Sequence, residues 1–294
     1  MSTYEYTLDR DPKSAPARPP STSVLFGDPT HFDVEYVINP HMAAHVGGVD
    51  KAAAYRQWVA LKAVYEQLGY NINVLEPVVG LPDLCFIANQ SFPVSREDGS
   101  KAVILSNMHA PQRRPEVPHV ARWFEAEGWE PLRIPDEEAH FEGMGDAIWH
   151  PGRRLVYGGY GWRTTHTAYV ERRDFVQAPV VALELADVRF YHLDTCFSPL
   201  DEHTALIVEQ AFMPEALALL EQCFDRLLRC PIDEAAAFLA CNGHCPDQKH
   251  FIVERQAKAT MAMVRAAGFE TIGVDTSEFL KSGGSVQCLK LMLD

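Results

Sequence analysis

The sequence has little positive charge and no long hydrophobic run. Its 26 lysines and arginines are outnumbered by 40 aspartates and glutamates, so the formal net charge is −14. This acidic balance argues against nucleic acid or an anionic membrane surface as a partner. No stretch approaches the roughly 20 apolar residues that a membrane-spanning helix needs. The composition therefore predicts no nucleic-acid and no membrane partner, and it does not oppose a small cationic ligand as substrate.

The first residues also lack the apolar core of a secretory signal. Residues 1–20 are polar and proline-rich, and we interpret them as a disordered N-terminal leader. The seven cysteines follow no regular spacing, which is not the pattern of a disulfide framework. We expect a cytoplasmic protein with reduced thiols and one domain over residues 21–294.

Signals for cofactors and metals are weak. There is no glycine-rich phosphate loop of either common type. The run Cys241-Asn242-Gly243-His244-Cys245 offers three possible metal ligands but no matching second pair, which disfavours structural zinc. We therefore predict neither a cofactor nor a metal.

The apolar pattern is that of an α/β protein with a repeated unit. Three times a helical segment ends at a glycine, which an aromatic residue and a strand follow: Leu68-Gly69-Tyr70, Glu127-Gly128-Trp129 and Ala267-Gly268-Phe269. Glycine closes a helix in the left-handed conformation, and copies of one junction indicate an internal repeat. Five segments fit the order strand, turn, strand, helix, strand. Their predicted strands include residues 35–38, 84–88, 237–241 and 286–291 and a segment near residue 232. Such units favour a closed, propeller-like α/β ring over a doubly wound sheet.

Two stretches place ionisable groups in apolar surroundings. Glu142 lies in a glycine-rich turn before an apolar run, and a buried carboxylate there needs a partner. His192 and Asp194 would share one face of an extended strand, and an imidazole beside a carboxylate suits general acid–base catalysis. Structural explanations also exist, with Glu142 as a solvated loop residue and His192 as a hydrogen-bonded core histidine.

A glycine pair, Gly283-Gly284, precedes Cys288 near the end of the chain. Glycines let a backbone pass close to a ligand, and a cysteine after such a turn can be held exposed as a nucleophile. The alternative is a small buried hydrophobe in a final strand, a common place for a free cysteine.

Further polar residues mark loops and strand ends. Asp83 and Asn89 flank a predicted strand, Asn39 lies in an Asn-Pro turn, and Arg113 and Arg163 follow two hairpins. Arginine suits a carboxylate through its forked guanidinium. Taken singly, each is equally compatible with a turn, a cap or a surface position.

In this order the motifs resemble those of the guanidino-group-modifying superfamily, also called the pentein or amidinotransferase-like superfamily. The matching runs are Pro82-Asp83 with Phe86 and Asn89, Phe141-Glu142-Gly143-Met144-Gly145-Asp146, His192-Leu193-Asp194-Thr195, and Gly283-Gly284 with Cys288. The resemblance covers the chain from about Ser21 onward. It implies a five-bladed α/β propeller, which agrees with the five segments.

The resemblance implies catalytic roles for four residues. Cys288 would attack the central carbon of a guanidinium and form a covalent thiouronium intermediate. His192 would protonate the leaving amine and then activate water, with Glu142 orienting it and Asp194 gripping the guanidine from the other side. A free thiol has a pKa of about 8.5, so the thiolate would depend on cationic neighbours such as the substrate.

The resemblance also implies a substrate-binding set. Arg113 and Arg163 resemble the pair that holds the α-carboxylate of an amino acid, with Arg114 as an alternative to Arg113. Ser282 would offer its backbone carbonyl to the α-amine. The full set is Asn39, Asp83, Asn89, Arg113, Arg163 and Ser282.

Asn89 departs from the arginine deiminases and dimethylargininases, which usually have aspartate there. The arginine dihydrolase branch is similar to this chain at Asn89 and at Val37-Ile38-Asn39-Pro40, although Gln90 and His41 differ from it. An amide can donate to a carbonyl as well as accept, so a citrulline-like first product could react again. We therefore predict hydrolysis of arginine to ornithine, ammonia and carbon dioxide. The alternatives are a dimethylargininase or arginine deiminase, an amidinotransferase, and a non-catalytic amino-acid-binding propeller; a homo-oligomer is compatible with each.

Overall fold

The computed structural model describes residues 12–96, 99–133, 138–170 and 178–293. These residues form an α/β fold with five small sheets. The strands are β1 Ser23–Gly27, β2 Asn71–Leu75, β3 Ser91–Ser95, β4 Lys101–Leu105, β5 Glu130–Leu132, β6 Ala147–Trp149, β7 Val156–Tyr160, β8 Val180–Glu184, β9 Phe197–Pro199, β10 Thr204–Ile207, β11 Arg226–Arg229, β12 His250–Glu254, β13 Glu270–Val274 and β14 Lys290–Leu293.

The α-helices are α1 Lys51–Gln67, α2 Val117–Ala126, α3 Gly143–Asp146, α4 Thr167–Val170, α5 Pro214–Cys223, α6 Ile232–Phe238, α7 Lys258–Ala266 and α8 Ser277–Leu280. Short 3-10 helices span Pro12–Ser14, Pro82–Cys85, Pro111–Glu116, Val188–Phe190, Leu193–Thr195 and Glu209–Ala211. None of the described helices has the length and apolar character needed to cross a membrane.

Four of the sheets share one construction. In each, an antiparallel pair is extended by a strand parallel to its inner member, in the orders β14-β1-β2, β3-β4-β5, β6-β7-β8 and β9-β10-β11. In the fifth, β12 and β13 pair in parallel, and an isolated antiparallel bridge from His244 to Ile252 stands where the extra strand would lie. The described residues thus contain five related units.

The first sheet joins the beginning and the end of the described chain. β14 runs antiparallel to β1, with Ser23 opposite Leu293 and Phe26 opposite Lys290. Both strands are largely buried. This pairing fixes the position of the turn that precedes β14, and that turn carries Cys288.

Several of the predicted strands are wrong. Residues 84 and 85 lie in a 3-10 helix that begins at Pro82, a residue suited to the first position of a helix, and residues 86–88 form no strand. Residues 237–241 begin inside α6, where acidic residues in the first turn and three alanines favour a helix. The parallel strand of that region is therefore β11 rather than a segment near residue 232, and residues 35–38 form no strand. Short apolar runs do not by themselves distinguish strand from helix.

Residues 12–20, predicted as part of a disordered leader, have defined contacts. Ala17 forms an antiparallel bridge with Arg153, and the guanidinium of Arg18 lies 4.7 Å from the ring centroid of Trp149. The expectation of disorder is therefore wrong for these residues, and residues 1–11 lie outside the described ranges.

Candidate active site

A tight turn ahead of Cys288 determines where its thiol lies. After α8 the chain turns at Gly283, whose φ of +82° lies in the left-handed region that glycine favours. A Cβ at this position would come within 2.9 Å of Asn39 Oδ1 and of the Tyr191 hydroxyl oxygen. Cys288 itself lies in a turn before β14, so the strand predicted over residues 286–291 begins later. The residue is 3% exposed, which matches the buried alternative considered for it, and its catalytic role stays a prediction.

Two side chains contact the thiol directly. Cys288 Sγ donates to Asp194 Oδ2 at 3.2 Å and accepts from Asn242 Nδ2 at 3.2 Å. Burial, followed by the Asp194 charge, raises the pKa of the thiol well above its ordinary value. Burial also raises the pKa of Asp194 to about 7. The thiol therefore needs a nearby positive charge before it can ionise readily.

His192, Glu142 and Arg163 form a buried chain of ionisable groups. His192 Nε2 lies 2.7 Å from Glu142 Oε2, and Arg163 Nη1 donates to the same oxygen at 3.1 Å. Burial alone would raise the pKa of Glu142, but Arg163 and the hydrogen bond with His192 hold it well below its usual range. Glu142 is therefore a carboxylate, which only accepts hydrogen bonds, so His192 Nε2 donates to it.

His192 and Asp194 do not share a strand face, contrary to expectation. His192 has an extended backbone, and it precedes the 3-10 helix Leu193–Thr195 that carries Asp194. The helical turn separates the two side chains, so that Asp194 contacts Cys288 whereas His192 contacts Glu142.

In the side-chain amide of Asn89, the oxygen has a hydrogen-bond partner and the nitrogen has none among the described residues. Its Oδ1 accepts from Arg113 Nη1 at 2.7 Å, whereas its buried Nδ2 has no hydrogen-bond partner in the described part of the chain. Because arginine only donates, this contact fixes the orientation of the amide. Gly145 leaves space at the amide nitrogen, since a Cβ there would lie 2.4 Å from Nδ2 and 3.3 Å from His192 Nδ1. The free donor therefore lies on the His192 side of Asn89.

Arg113, predicted to hold a substrate carboxylate, is surrounded by protein acceptors. Its Nε and Nη2 donate to Glu116 at 3.1 and 2.9 Å, and Nη2 also lies 3.1 Å from the carbonyl oxygen of Asp83. Its neighbour Arg114 donates to the carbonyl of Met108 instead. These contacts make Arg113 a support for Asn89, and carboxylate binding by Arg113 stays a prediction.

The remaining predicted residues link the first unit to the final turn. Asn39 Nδ2 donates to the carbonyl oxygen of Ser282 at 2.9 Å, and Ser282 Oγ donates to Asp83 Oδ1 at 3.0 Å. The hydroxyl of Tyr36 donates to the other Asp83 oxygen at 2.7 Å. The Ser282 carbonyl, predicted to receive an α-amine, is thus held in place by Asn39.

One cavity brings the predicted residues together. Its walls are formed by Ile38, Asn39, Asp83, Phe86, Asn89, Arg113, Arg163, Tyr191, Ser282, Gly283, Gly284 and Cys288. They include the whole predicted substrate-binding set. Asp194 and Glu142 contact the walls through Cys288 and Arg163, and the His192 ring packs on Tyr191 with the ring centroids 4.8 Å apart.

Asn242 is the main site residue that sequence reasoning missed. Besides its bond to the thiol, its Oδ1 accepts from the backbone N–H groups of Ser285 and Cys288 at 3.0 and 3.3 Å. It belongs to the run considered above only for metal ligands, and the described residues contain no group of three or more such ligands suited to a metal. The sequence signal that could have indicated Asn242 was a side-chain amide in a polar run between two apolar segments.

Comparisons with known proteins identify relatives of this chain. A sequence profile of the eukaryotic N,N dimethylarginine dimethylhydrolase family matches residues 41–293. The N(G),N(G)-dimethylarginine dimethylaminohydrolase of Mycobacterium tuberculosis is 36% identical over 279 residues, which cover 94% of this chain and 88% of that protein.

Arginine dihydrolases are similar as well. The bifunctional arginine dihydrolase/ornithine cyclodeaminase ArgZ of Synechocystis sp. is 32% identical over 91% of this chain, which spans 37% of the length of ArgZ. The crystal structure of the N-terminal domain of ArgZ, a cysteine-to-serine variant bound to substrate, has a TM-score of 0.85 and 30% identity. That likeness covers 92% of this chain and 97% of the domain.

The fold and these likenesses define a class, the guanidino-group-modifying hydrolases, which cleave carbon–nitrogen bonds of amidines. Within that class the chain belongs to the dimethylarginine dimethylaminohydrolase family.

Gly283→Ala is expected to destabilise the fold more than Gly69→Ala. The two glycines have φ of +82° and +90°, so alanine costs about 1–2 kcal/mol of backbone strain at either position. At Gly283 a Cβ would also crowd Asn39 and Tyr191, whereas nothing lies within 4 Å of a Cβ at Gly69. We expect a lower urea midpoint and a raised KM for Gly283→Ala. Equal midpoints for the two variants would contradict the close approach.

Proposed function

We propose that the protein is a cofactor-free arginine dihydrolase, which converts arginine and two waters to ornithine, carbon dioxide and two ammonia molecules. The observation that carries this proposal is the unpartnered Nδ2 of Asn89, oriented by Arg113. A carboxylate there would only accept hydrogen bonds, whereas the amide NH₂ can donate to the carbonyl oxygen of a ureido group. The site therefore fits citrulline as well as arginine.

In the first hydrolysis Cys288 attacks the central carbon of the guanidinium. The substrate's positive charge offsets Asp194, and the thiol proton passes to Asp194 Oδ2, its hydrogen-bond partner at 3.2 Å, as the carbon–sulfur bond forms. Protonated His192 gives its proton to the departing nitrogen, so that the carbon–nitrogen bond breaks and ammonia leaves. His192, oriented by the Glu142 carboxylate at 2.7 Å, then takes a proton from water, which attacks the thiouronium carbon. Cleavage of the carbon–sulfur bond yields citrulline and restores Cys288.

The second hydrolysis repeats these steps on the ureido carbon. Asn89 Nδ2 donates to the ureido oxygen, on which negative charge develops as Cys288 attacks. Ammonia leaves, a second water enters, and the resulting carbamate breaks down to ornithine and carbon dioxide. Without that donor, the neutral ureido group would have no partner at this position.

We further propose that the five units are the blades of a five-bladed α/β propeller with this site at its centre. Residues 21–294 would form its single catalytic domain, and the enzyme would act in the cytoplasm. The shared construction of the sheets and the pairing of β14 with β1 support this arrangement.

Product analysis with arginine labelled on the guanidino carbon tests the function. We expect unlabelled ornithine and labelled carbon dioxide in equal amounts, with ammonia at twice that amount. Citrulline as the sole amino-acid product would contradict the dihydrolase proposal and indicate a deiminase. Absence of turnover on any guanidine would contradict the catalytic roles altogether.

A second candidate is hydrolysis of Nω,Nω-dimethylarginine to citrulline and dimethylamine. The family match and the similarity to the M. tuberculosis enzyme support it. The two functions separate in one assay, because dimethylamine release with a higher kcat/KM than that for arginine would favour this candidate.

The kcat/KM for arginine is expected to rise with pH through about 7. Burial raises the pKa of Asp194 to about 7, and the carboxyl must be ionised to hold a cationic guanidinium. Below that pH the protonated form predominates, so kcat/KM falls by about tenfold per pH unit. Measuring kcat/KM between about pH 5.5 and 8.5 tests this pH dependence. A flat profile would mean that Asp194 is ionised throughout.

A further inference from the structure

Lys290 is a buried charged residue without a role in the mechanism above. It is the first residue of β14, lies opposite Phe26 of β1 and follows Cys288 closely in the chain. Its side chain is fully buried, and its Nζ has no hydrogen-bond partner among the residues that the structure describes. Lysines are almost never fully buried unless paired, because an isolated buried ammonium is costly. Packing alone does not account for its position.

Asp194 also has a buried polar atom that lacks a hydrogen-bond partner in the described structure. Its Oδ2 is bonded to Cys288 Sγ, whereas its buried Oδ1 has no hydrogen-bond partner within the described ranges. Lys290 is electrostatically coupled to both groups. Burial lowers the pKa of Lys290 to about 7, against the attraction of Asp194 and then Cys288. In turn, the Lys290 charge is among the interactions that oppose the rise in the pKa of Asp194.

Among the described residues, His244 also interacts electrostatically with Lys290. Burial, followed by the charge of Lys290, lowers the pKa of His244 well below its ordinary value. Its Nδ1 lies 2.8 Å from the hydroxyl of Tyr65. A neutral imidazole does not offset an ammonium, so the acidic groups that can do so are Asp194 and Cys288. At low dielectric such attractions extend farther than in water.

We propose that Lys290 is the internal counter-ion of Asp194 and Cys288 and sets their charge before the substrate binds. Its consequence for catalysis rests on the proposed function, in which Cys288 is the nucleophile and Asp194 a guanidinium ligand. The ammonium favours ionised Asp194 and offsets the repulsion between that carboxylate and a thiolate. The guanidinium then meets an anion rather than a neutral acid. Lys290 is a positioning residue, because it acts through Asp194 and Cys288.

Alkylation of Cys288 tests the proposal without any turnover. Lys290→Met removes the charge at similar side-chain length, and modification by iodoacetamide is followed as a function of pH by mass spectrometry of the Cys288 peptide. We expect the midpoint of the pH profile to rise by about one unit, which lowers the rate at neutral pH by about tenfold. Lys258→Met, which removes an exposed lysine at the start of α7, is expected to keep the wild-type midpoint.

The pH profile of kcat/KM for arginine provides a second readout. In Lys290→Met its acid limb is expected to move to higher pH, with activity recovering as pH rises; a merely structural defect would not recover. A folded Lys290→Met with the wild-type alkylation midpoint would overturn the proposal. If that variant does not fold, Lys290→Thr, whose shorter side chain leaves space for water, carries the same expectation. A shifted midpoint in an enzyme that does not turn over arginine would support the counter-ion and refute the proposed function instead.

Discussion

Cys288→Ser is expected to lower arginine turnover by at least about a thousandfold, in line with the loss of a covalent nucleophile. A serine hydroxyl ionises far less readily than a thiol, and this position faces the Asp194 carboxyl at 3.2 Å. The substitution changes little in shape, so arginine is expected to bind with nearly unchanged affinity. Single-turnover product measurements and calorimetric titration with arginine separate the two effects.

Cys230→Ser provides the matched control. Its sulfur is also buried, but it lies 3.4 Å from the hydroxyl of Thr260, where a serine hydroxyl finds a polar partner. We expect nearly wild-type turnover. If Cys288→Ser keeps more than about a tenth of wild-type turnover, or if Cys230→Ser loses as much, Cys288 is not the nucleophile.

Asn89→Asp is expected to change the main product from ornithine to citrulline. The variant keeps an oxygen for Arg113 and adds an anion that pairs with a guanidinium, so the first hydrolysis continues. It loses the NH₂ donor, and an unmet hydrogen bond in a buried site costs about 1–3 kcal/mol. The second hydrolysis therefore slows by about tenfold or more relative to the first. Chromatographic quantification of citrulline and ornithine over time measures the ratio.

Asn71→Asp is the control for this change, because Asn71 is exposed at the start of β2. It makes the same chemical substitution away from the cavity, and we expect an unchanged product ratio. An unchanged ornithine yield in Asn89→Asp would remove the amide from the explanation of the second step.

The repeated unit could be predicted because its signal is local. The glycines of the three helix-to-strand junctions, Gly69, Gly128 and Gly268, have φ of +90°, +79° and +105°. Each follows a helix and precedes a parallel strand, as the sequence pattern indicated. A few adjacent residues are enough to specify a local backbone conformation of this kind.

The partners within the site could not be predicted in the same way. The contacts of Asn242 with Cys288 and of Arg113 with Asn89 join residues that are 46 and 24 positions apart in the chain. The chain pattern shows that these residues are polar, but not which of them meet. The 3-10 helices at Pro82 and Leu193 are also too short for apolar periodicity to reveal, and they determine the directions of Asp83 and Asp194.

The pairing of β1 with β14 makes the position of Cys288 depend on a contact between the two ends of the described chain, with Ser23 opposite Leu293. Closing so long a loop carries a large entropic cost, and contacts of this kind tend to form late in folding. The other four sheets do not include β1 or β14. Inactivation therefore does not require global unfolding: separation of these two strands would release Cys288 and Lys290 while most of the secondary structure persists.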